Sequence, residues 1–244
     1  MKRGQITLFV IIAILLVAAI ALVVYTQREA LGLKLAQGQA EIRPITSEID
    51  NCIKSTSEKG IYLIGIQGGY IEPISASIET NSSTVSYAYY NGKVLFPSQG
   101  NIENQLAGYI DLMLPKCVDF SKWPDFTVSA EKVSSTVLIR ENEVLIETSW
   151  PITLKKGATF RLEKFSSRIP VRLGIIYDSA SQIVNSTAKD ASKIDLSQMI
   201  TIYEKYNITT DIVPYNQTLI YSLTDPTSIV LDKPCIFLVA AKLS

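Results

Sequence analysis

Histidine is absent from the 244 residues of this chain. Its absence excludes Ser-His-Asp and Cys-His catalysis, zinc sites built on imidazole, and the usual proton shuttle near neutral pH. An enzyme built on this sequence would depend on carboxylate, lysine or tyrosine chemistry. We therefore expect a protein that is not an enzyme and that has no catalytic residue, no cofactor and no metal site.

Net charge is absent as well, because 23 basic residues balance 23 acidic residues. Proteins that bind nucleic acid carry a clear excess of Lys and Arg on one surface. The balanced charge therefore argues against a nucleic-acid partner. The chain also has no internal repeat and no low-complexity linker, so most of it has the composition of an ordinary globular domain.

Charged residues are missing between Arg3 and Arg28, and Ile6 to Tyr25 is apolar apart from one threonine. A helix of this length, at about 1.5 Å per residue, spans about 30 Å, which is the thickness of the hydrocarbon core of a bilayer. Basic flanking residues stay in the cytoplasm. The sequence predicts a single-pass protein of the cell membrane that contacts the lipid bilayer through residues 6–25, with a cytoplasmic N-terminus and an extracytoplasmic C-terminal domain.

A secretory signal is the alternative interpretation of this region, with Ala19-Ile20-Ala21 as an A-x-A-like cleavage site. Cleavage there would leave Leu22-Val-Val-Tyr25 as an apolar new terminus. A permanent helix avoids this exposure, so we favour the membrane anchor.

Lys2-Arg3-Gly4-Gln5, followed by the hydrophobic helix, resembles the class III signal of archaeal type IV pilin-like proteins over residues 1–25. The resemblance implies that a membrane peptidase cuts between Gly4 and Gln5. Residues 1–4 would then be a basic leader, and 5–25 the transmembrane helix of the mature protein. Many bacterial pilins carry Glu at the fifth mature position, where this chain has Phe9. The resemblance implies a pilin-like subunit with self-assembly or other envelope and pilus proteins as partners.

A second resemblance lies further along the chain, in Leu63-Ile-Gly-Ile-Gln-Gly-Gly-Tyr-Ile71. This stretch resembles one in uncharacterised exported proteins of small-genome archaea, and the resemblance implies no activity. A phosphate-binding loop is the alternative, but no Lys-Ser/Thr pair follows the glycines. We expect a helix C-terminus in which Gly68 or Gly69 adopts the left-handed conformation.

Cysteine is scarce: the chain has Cys52, Cys117 and Cys235. Outside the cell a pair of cysteines is more often bonded than free. We favour a Cys52–Cys117 disulfide, because each lies on a predicted helix beside the same small sheet. Such a bond would close about 65 residues and contribute about 4 kcal/mol in the chain-entropy model. Cys235 lies in a predicted core strand and is expected to be buried, although the sequence alone leaves the pairing open.

Four Asn-x-Ser/Thr sequences are candidate glycosylation sites, at Asn81, Asn185, Asn207 and Asn216. One such sequence carries little information, because it occurs often by chance. Four in polar, turn-like settings favour an exported surface that carries glycans.

The remaining chain is expected to form a helical stalk over 26–43 and an extracytoplasmic domain over 44–244. Two subdomains are a further possibility, with a division near residue 124. Gly38 and Pro44 are expected to end or kink the first helix, and a second helix is expected to begin at Pro44.

The domain has the alternating blocks of helix and antiparallel strand that are typical of the α+β class, with sheets packed against helices. Helices are predicted over 102–120, 163–189 and 194–206. Strands are predicted over 126–133, 135–140, 144–150, 208–213, 218–222 and 236–241. The dipeptide Asn91-Gly92 predicts a hairpin with a type I′ turn between 85–90 and 93–96.

Two patterns suggest catalysis only weakly. Ser186 and Lys189 have the S-x-x-K spacing of penicillin-binding-type acyltransferases, but the companion S-D-N and K-T-G elements are missing. Glu141 and Glu143 could act as a pair in glycoside cleavage, yet they flank a single residue in a predicted solvated turn. Asp195, which could pair with Asp190, is expected to cap a helix.

A group of tyrosines marks one hairpin: Tyr87, Tyr89 and Tyr90, with Tyr70 nearby in sequence. If exposed, these rings would form a recognition patch for a sugar or a partner protein. The alternative is cross-strand packing inside the sheet.

These observations predict a membrane-anchored, extracytoplasmic cell-surface protein, either a pilin-like subunit or a structural or adhesive component of the envelope. The alternative is a membrane-anchored binding module, or an enzyme, that acts on envelope glycan or peptide.

Overall fold

The computed structural model describes the backbone of residues 3–242, and the side chains in that range except those of 3–13, 24 and 26–39. The chain divides into two compact units, with the boundary between Ser47 and Glu48. The first helix, α1, extends from Arg3 to Ile66 without interruption. Gly4 and Gln5 lie among the residues whose side chains are not described, so cleavage between them stays a prediction.

The predicted helix end at Gly38 or Pro44 and the predicted new helix from Pro44 are wrong, because α1 continues through both residues. A kink at either residue, the other expectation, stays a prediction. Proline removes its own N–H and one hydrogen bond, which weakens a helix without always ending it. The helix continues, and its next turns present a buried face that includes Ile49 and Ile53.

Among the residues that the structure describes, no helix is both long enough and apolar enough to cross a bilayer. The predicted span 6–25 includes residues 6–13 and 24, whose side chains are outside the described part. The span therefore stays a prediction.

The unit formed by residues 48–244 contains the end of α1, ten strands and three further helices among its described residues. In chain order these are β1 Ser77–Glu79, β2 Thr84–Tyr90, β3 Lys93–Val94, α2 Gln99–Cys117, β4 Thr127–Ala130, β5 Ser134–Ile139, β6 Val144–Lys156, β7 Ala158–Ile169, α3 Leu173–Lys189, α4 Leu196–Tyr206, β8 Thr209–Tyr215, β9 Thr218–Val230 and β10 Lys233–Lys242. A short 3₁₀ turn, Phe120–Lys122, follows α2. The arrangement confirms the α+β class.

The first sheet has six strands in the order β1-β2-β10-β9-β8, with β3 also paired to β2. All its pairs are antiparallel except β2 with β10, where Tyr87 lies opposite Ala240 in a parallel pair. The sheet is therefore mixed, whereas the sequence predicted antiparallel pairing throughout. In chain order, β1, β2 and β3 of this sheet precede residue 124, and β8, β9 and β10 follow it.

The second sheet has four strands, and β6 is its centre. Strand β7 pairs with β6 along one side, while β4 and β5 share the other side. Helix α2 closes the free edge of β5: Glu103 accepts the backbone N–H of Ile139 at 2.8 Å, and Gln99 donates to its carbonyl at 3.0 Å. Side chains thus satisfy backbone groups that would otherwise lack partners.

The predicted helix over 163–189 is only partly present, because its first seven residues belong to strand β7. The register of β7 on β6 runs from Ala158 opposite Lys156 to Ile169 opposite Val144. This long ladder outweighs the local helical preference of the Glu-Lys-rich segment. Helix α3 begins only at Leu173, after Pro170.

Several local predictions are confirmed. Asn91 and Gly92 both have positive φ, 49° and 76°, as a type I′ turn requires. Gly68 and Gly69 also have positive φ, and the Gly69 N–H donates to the Ile64 carbonyl at 2.8 Å, which closes the C-terminus of α1. The side chain of Asp195 caps α4 by accepting the N–H of Gln198.

Candidate functional site

A polar groove lies on the exposed face of the second sheet, across β5, β6 and β7. Cross-strand pairing arranges six of its side chains in two rows. One row is Thr136, Glu147 and Ser166, and the other is Ser134, Ser149 and Lys164. We call these six side chains the polar groove.

A β-bulge lies at one end of the groove. Ser149 pairs with Lys164 and Ile152 with Leu162, so the two residues between them on β6 face one residue on β7. A bulge of this kind bends the strand and increases its twist. The indole of Trp150, which belongs to the bulge, is buried, and its N–H donates to the Glu131 carbonyl at 3.0 Å.

The groove has a volume of about 470 Å³, within the size range of small-molecule sites. Its four hydroxyl groups can both donate and accept hydrogen bonds, and it carries one carboxylate, Glu147, and one ammonium, Lys164. The backbone of β6 is paired on both sides at this position. Recognition in the groove would therefore depend on side chains, and the balanced charge suits an uncharged polar ligand.

The predicted tyrosine patch is not an exposed platform. Tyr87 and Tyr89 are buried, and the Tyr87 hydroxyl lies 2.9 Å from that of Thr218. Tyr90 packs with its ring centroid 4.9 Å from that of Tyr87. The Tyr70 hydroxyl donates to the Leu95 carbonyl at 2.7 Å. The rings stabilise the first sheet, as the packing interpretation anticipates.

The four candidate glycosylation sites are all exposed, at Asn81, Asn185, Asn207 and Asn216. Asn207 and Asn216 lie at positive φ, one after α4 and one in the β8–β9 turn. Asn185 lies within α3. The surface position of each side chain is compatible with glycan attachment, and attachment itself stays a prediction.

The residues with weak catalytic patterns are not assembled for catalysis. Ser186 donates its hydroxyl hydrogen to Asp195 at 3.0 Å, and Lys189 lies exposed at the end of α3. The pKa of Asp195 is lowered, first by the hydroxyl of Ser197 and then by backbone and Ser186 hydrogen bonds. A carboxylate in this state is a poor base for activating a serine.

Of the two carboxylates in the β5–β6 turn, Glu141 is exposed and Glu143 forms ion pairs at the surface. Glu143 lies 3.2 Å from Arg140 and 3.9 Å from Arg168. Across the described residues, no group of three or more Cys, Asp or Glu side chains is placed to hold a metal ion.

Cys52 and Cys117 form a disulfide, as the sequence predicts, which joins α1 to the end of α2. Cys235 is free and buried. Burial, and then the nearby charge of Asp225, raise the pKa of its thiol to about 12. Cys235 is thus an unreactive core residue.

One buried polar cluster has no counterpart in the sequence analysis. Strand β9 bulges so that Pro234 pairs with Ile229 while Cys235 pairs with Asp225. The carboxylate of Asp225 accepts hydrogen bonds from Thr227 and Ser228 inside this bulge. Burial alone would raise the pKa of Asp225, but these bonds and those from Arg172 outweigh it and lower the pKa to about 2. The cluster is satisfied internally, so it holds the bulge in place rather than binding a ligand.

The sequence does not predict the polar groove, because the groove depends on β7, and residues 163–169 of that strand are predicted as the start of a helix. The alternation of apolar and charged residues in Phe160-Arg-Leu-Glu163 is the signal for a strand that the sequence contains.

The chain matches no protein-family model, no curated protein and no solved structure.

Proposed function

We propose that the protein is a membrane-anchored, extracytoplasmic component of the cell surface, with a structural or adhesive role. The observation that carries this proposal is the Cys52–Cys117 disulfide. Disulfides form and persist mainly in oxidising compartments and are rare in the cytosol of most organisms. The four exposed candidate glycosylation sites also favour an extracytoplasmic position for this domain.

The anchor is assigned to residues 6–25, which contain no charged residue. Where side chains are described there, they are strongly exposed: Leu16, Val17 and Leu22 are 58, 67 and 67 % accessible. Apolar surface of this extent is unfavourable in water and favourable in hydrocarbon. Lys2 and Arg3 orient the N-terminus toward the cytoplasm.

Two measurements on the full chain test this proposal. Flotation with lipid vesicles at high salt should recover the protein with lipid, and mass spectrometry of the protein from cells should find the N-terminus. A mature start at Gln5, together with recovery in sheared filaments, would support the pilin-like subunit. Recovery of the intact chain in the aqueous fraction alone would overturn the anchor.

The second candidate function is a binding module for envelope glycan, and the polar groove favours it. Neutral saccharides present many hydroxyl groups, which the hydroxyl, carboxylate and ammonium groups of the groove match as donors and acceptors. Phe165 also lines the groove, but it is buried, at 7 % exposure, and offers little ring surface on which a sugar could stack. We therefore expect weak binding, with dissociation constants on the order of 1 mM.

Saturation-transfer NMR with neutral hexasaccharides tests this candidate. Ser149→Phe would fill the groove and should abolish the transfer, whereas Ser129→Phe changes an exposed serine on β4 outside the groove and should not. Equal transfer in both variants, or none with the unmodified chain, would contradict saccharide binding in the groove.

A further inference from the structure

The four Asn-x-Ser/Thr sequences differ in the state of their hydroxyl groups. Their asparagines are all exposed, so the asparagines alone do not distinguish the sites. The motif requires a second group, the Ser or Thr hydroxyl two residues later. An enzyme that recognises both groups must contact them together, so both must be accessible. The position of each hydroxyl in the fold therefore decides which site can be modified.

The hydroxyl of the Asn216 sequence is enclosed by the first sheet. Thr218 is 3 % exposed, and its hydroxyl oxygen lies 2.9 Å from that of Tyr87. Thr218 belongs to β9, where it pairs with Tyr215 on one side and Lys242 on the other. An enzyme could reach this hydroxyl only after β9 had separated from its neighbours.

The Asn185 sequence lies within helix α3. Residues two positions apart are turned by about 200° around a helix axis, so Asn185 and Thr187 point in nearly opposite directions. Thr187 is 4 % exposed, and its hydroxyl donates to the Ile183 carbonyl at 3.0 Å. One enzyme surface cannot contact both side chains unless this part of α3 unfolds.

The Asn81 sequence lies in the turn between β1 and β2. The hydroxyl oxygen of Ser83 is buried and has no hydrogen-bond partner among the described residues. The Thr80 hydroxyl accepts the backbone N–H groups of Ser82 and Ser83 and donates to the Ser83 carbonyl at 2.8 Å. These bonds hold the turn in a conformation in which the Ser83 hydroxyl is inaccessible.

Of the four sequences, that of Asn207 has both groups at the surface. Asn207 ends α4 with a φ of 56°, and its backbone N–H donates to the Tyr203 carbonyl at 2.8 Å. The backbone makes this cap, so the side-chain amide is not needed for it. Thr209 is exposed at the start of the edge strand β8. Its hydroxyl lies 3.5 Å from the Thr224 carbonyl, longer than an ordinary hydroxyl hydrogen bond.

We propose that Asn207 is the glycan acceptor of the folded domain and that folding closes the other three sequences to modification. In the transfer, Nδ2 of Asn207 forms a bond to the anomeric carbon of a saccharide carried on a lipid-linked phosphate. The bond from that carbon to the phosphate oxygen breaks, and the phosphate leaves with the electron pair. The amide nitrogen gives one proton to a base of the transferase. The inference rests on the proposed extracytoplasmic position of the domain.

Transfer to the folded full chain tests this assignment. The chain, purified in detergent, is incubated with a purified oligosaccharyltransferase and a lipid-linked oligosaccharide, and mass spectrometry measures the occupancy of each asparagine. Four short peptides with the same sequences are the extended-chain controls, and each occupancy is divided by that of its peptide. Because a closed hydroxyl must first be exposed by local unfolding, Asn207 should exceed each other site by about tenfold or more.

Two results of this experiment would overturn the proposal. One is equal normalised occupancy at Asn207 and at Asn185 or Asn216 in the folded chain. The other is modification of the four peptides without transfer to Asn207 in the chain.

Variants of Thr209 test whether the accessible hydroxyl is responsible. Thr209→Val replaces the hydroxyl by a methyl group of similar size and should lower transfer to Asn207 by about tenfold or more, whereas Thr209→Ser should keep most of it. Thr210→Val, next to the sequence, is the matched control and should leave transfer unchanged. Equal transfer to the Thr209→Val and unmodified chains would contradict the role of the hydroxyl.

Glycan analysis of the chain from its own cells separates failure of the acceptor from failure of the proposed location. Glycan at Asn207 and at none of the other three sites would support both. Glycan at another site without Asn207 would keep the extracytoplasmic location and reject the acceptor. An unmodified chain from cells that glycosylate other proteins on asparagine, together with transfer to Asn207 by the purified enzyme, would reject the location and keep the acceptor.

Discussion

The guanidinium of Arg172 forms a bidentate ion pair with the buried carboxylate of Asp225. Its Nε donates to Oδ2 at 2.9 Å, and a terminal nitrogen donates to Oδ1. That terminal nitrogen also donates to the Tyr206 carbonyl at 3.0 Å. One side chain therefore connects the residue before α3, the end of α4 and the bulge of β9. Asp225 is fully buried, whereas the Arg172 side chain is 22 % exposed.

Removal of this arginine should be strongly destabilising. Arg172→Ala leaves the Asp225 charge buried without its cation, which typically lowers the free energy of unfolding by about 3–5 kcal/mol. Arg140→Ala is the matched control, because Arg140 pairs with Glu143 at the surface, and it should change stability by less than about 1 kcal/mol. Urea unfolding measures both, and equal effects would contradict a structural role for the pair.

Asp225 should also make stability depend on pH. Its pKa is lowered to about 2 in the folded protein, against an ordinary value of 3.8. Its contribution, on the order of 2 kcal/mol, is therefore complete above about pH 5 and is lost progressively as the pH falls through 2 to about pH 1. The stability difference between the unmodified chain and Asp225→Asn should shrink by about two thirds of that amount between pH 6 and 2.5. A constant difference would show that the carboxylate is not responsible.

Two helical glycines should respond to alanine with opposite signs. A Cβ added at Gly65 would lie 2.1 Å from the backbone oxygen of Ile236, so Gly65→Ala must push α1 away from β10. A Cβ at Gly108 meets nothing within 4 Å, so Gly108→Ala should stabilise α2 by up to about 1 kcal/mol. Thermal unfolding of the two variants measures the signs.

The β9–β10 turn contains backbone strain. Leu231 and Asp232 have φ of 50° and 62°, a region that disfavours a leucine by about 1–2 kcal/mol. Replacing the pair by Asn-Gly should raise the free energy of unfolding by about 1 kcal/mol. Asn91→Leu, in a turn with the same signs of φ, should lower it by a similar amount. Two changes of the same sign would contradict this account.

Reduction of the disulfide should lower the free energy of unfolding by about 4 kcal/mol, because the bond closes a loop with a sequence separation of 65. A Cys52→Ala/Cys117→Ala variant should be destabilised by a similar amount and should not respond to reductant. Thiol titration of the unfolded, unreduced chain should find one free cysteine, Cys235.

The features that the sequence predicted correctly are specified by nearby residues. The turn at Asn91-Gly92 depends on the φ preferences of those two residues. Gly68 and Gly69 end α1 because glycine adopts positive φ readily. Asp195 caps α4 through a backbone N–H only three residues away. Each of these signals acts over fewer than six residues. Local sequence is sufficient to read them.

The features that were missed depend on partners distant in sequence. The sequence of residues 163–169 favours a helix, and only pairing with β6 makes this segment part of strand β7. The polar groove forms only when β5 and β7 both pair with β6. Arg172 and Asp225 are 53 residues apart. The sequence around each, Pro-Val-Arg-Leu and Thr-Asp-Pro-Thr, indicates only a loop or turn.

The Cys52–Cys117 bond has a mechanical consequence. Tension applied between Glu48 and the end of β10 would pass from Cys52 to Cys117 through the covalent bond, and the 64 residues between them could not be extended. At about 3.4 Å per residue, stretching under an oxidising condition should therefore release about 220 Å less chain than stretching after reduction. When an external force stretches the protein, the last turns of α1, the tyrosine-rich hairpin and α2 would therefore not bear that force and would stay folded.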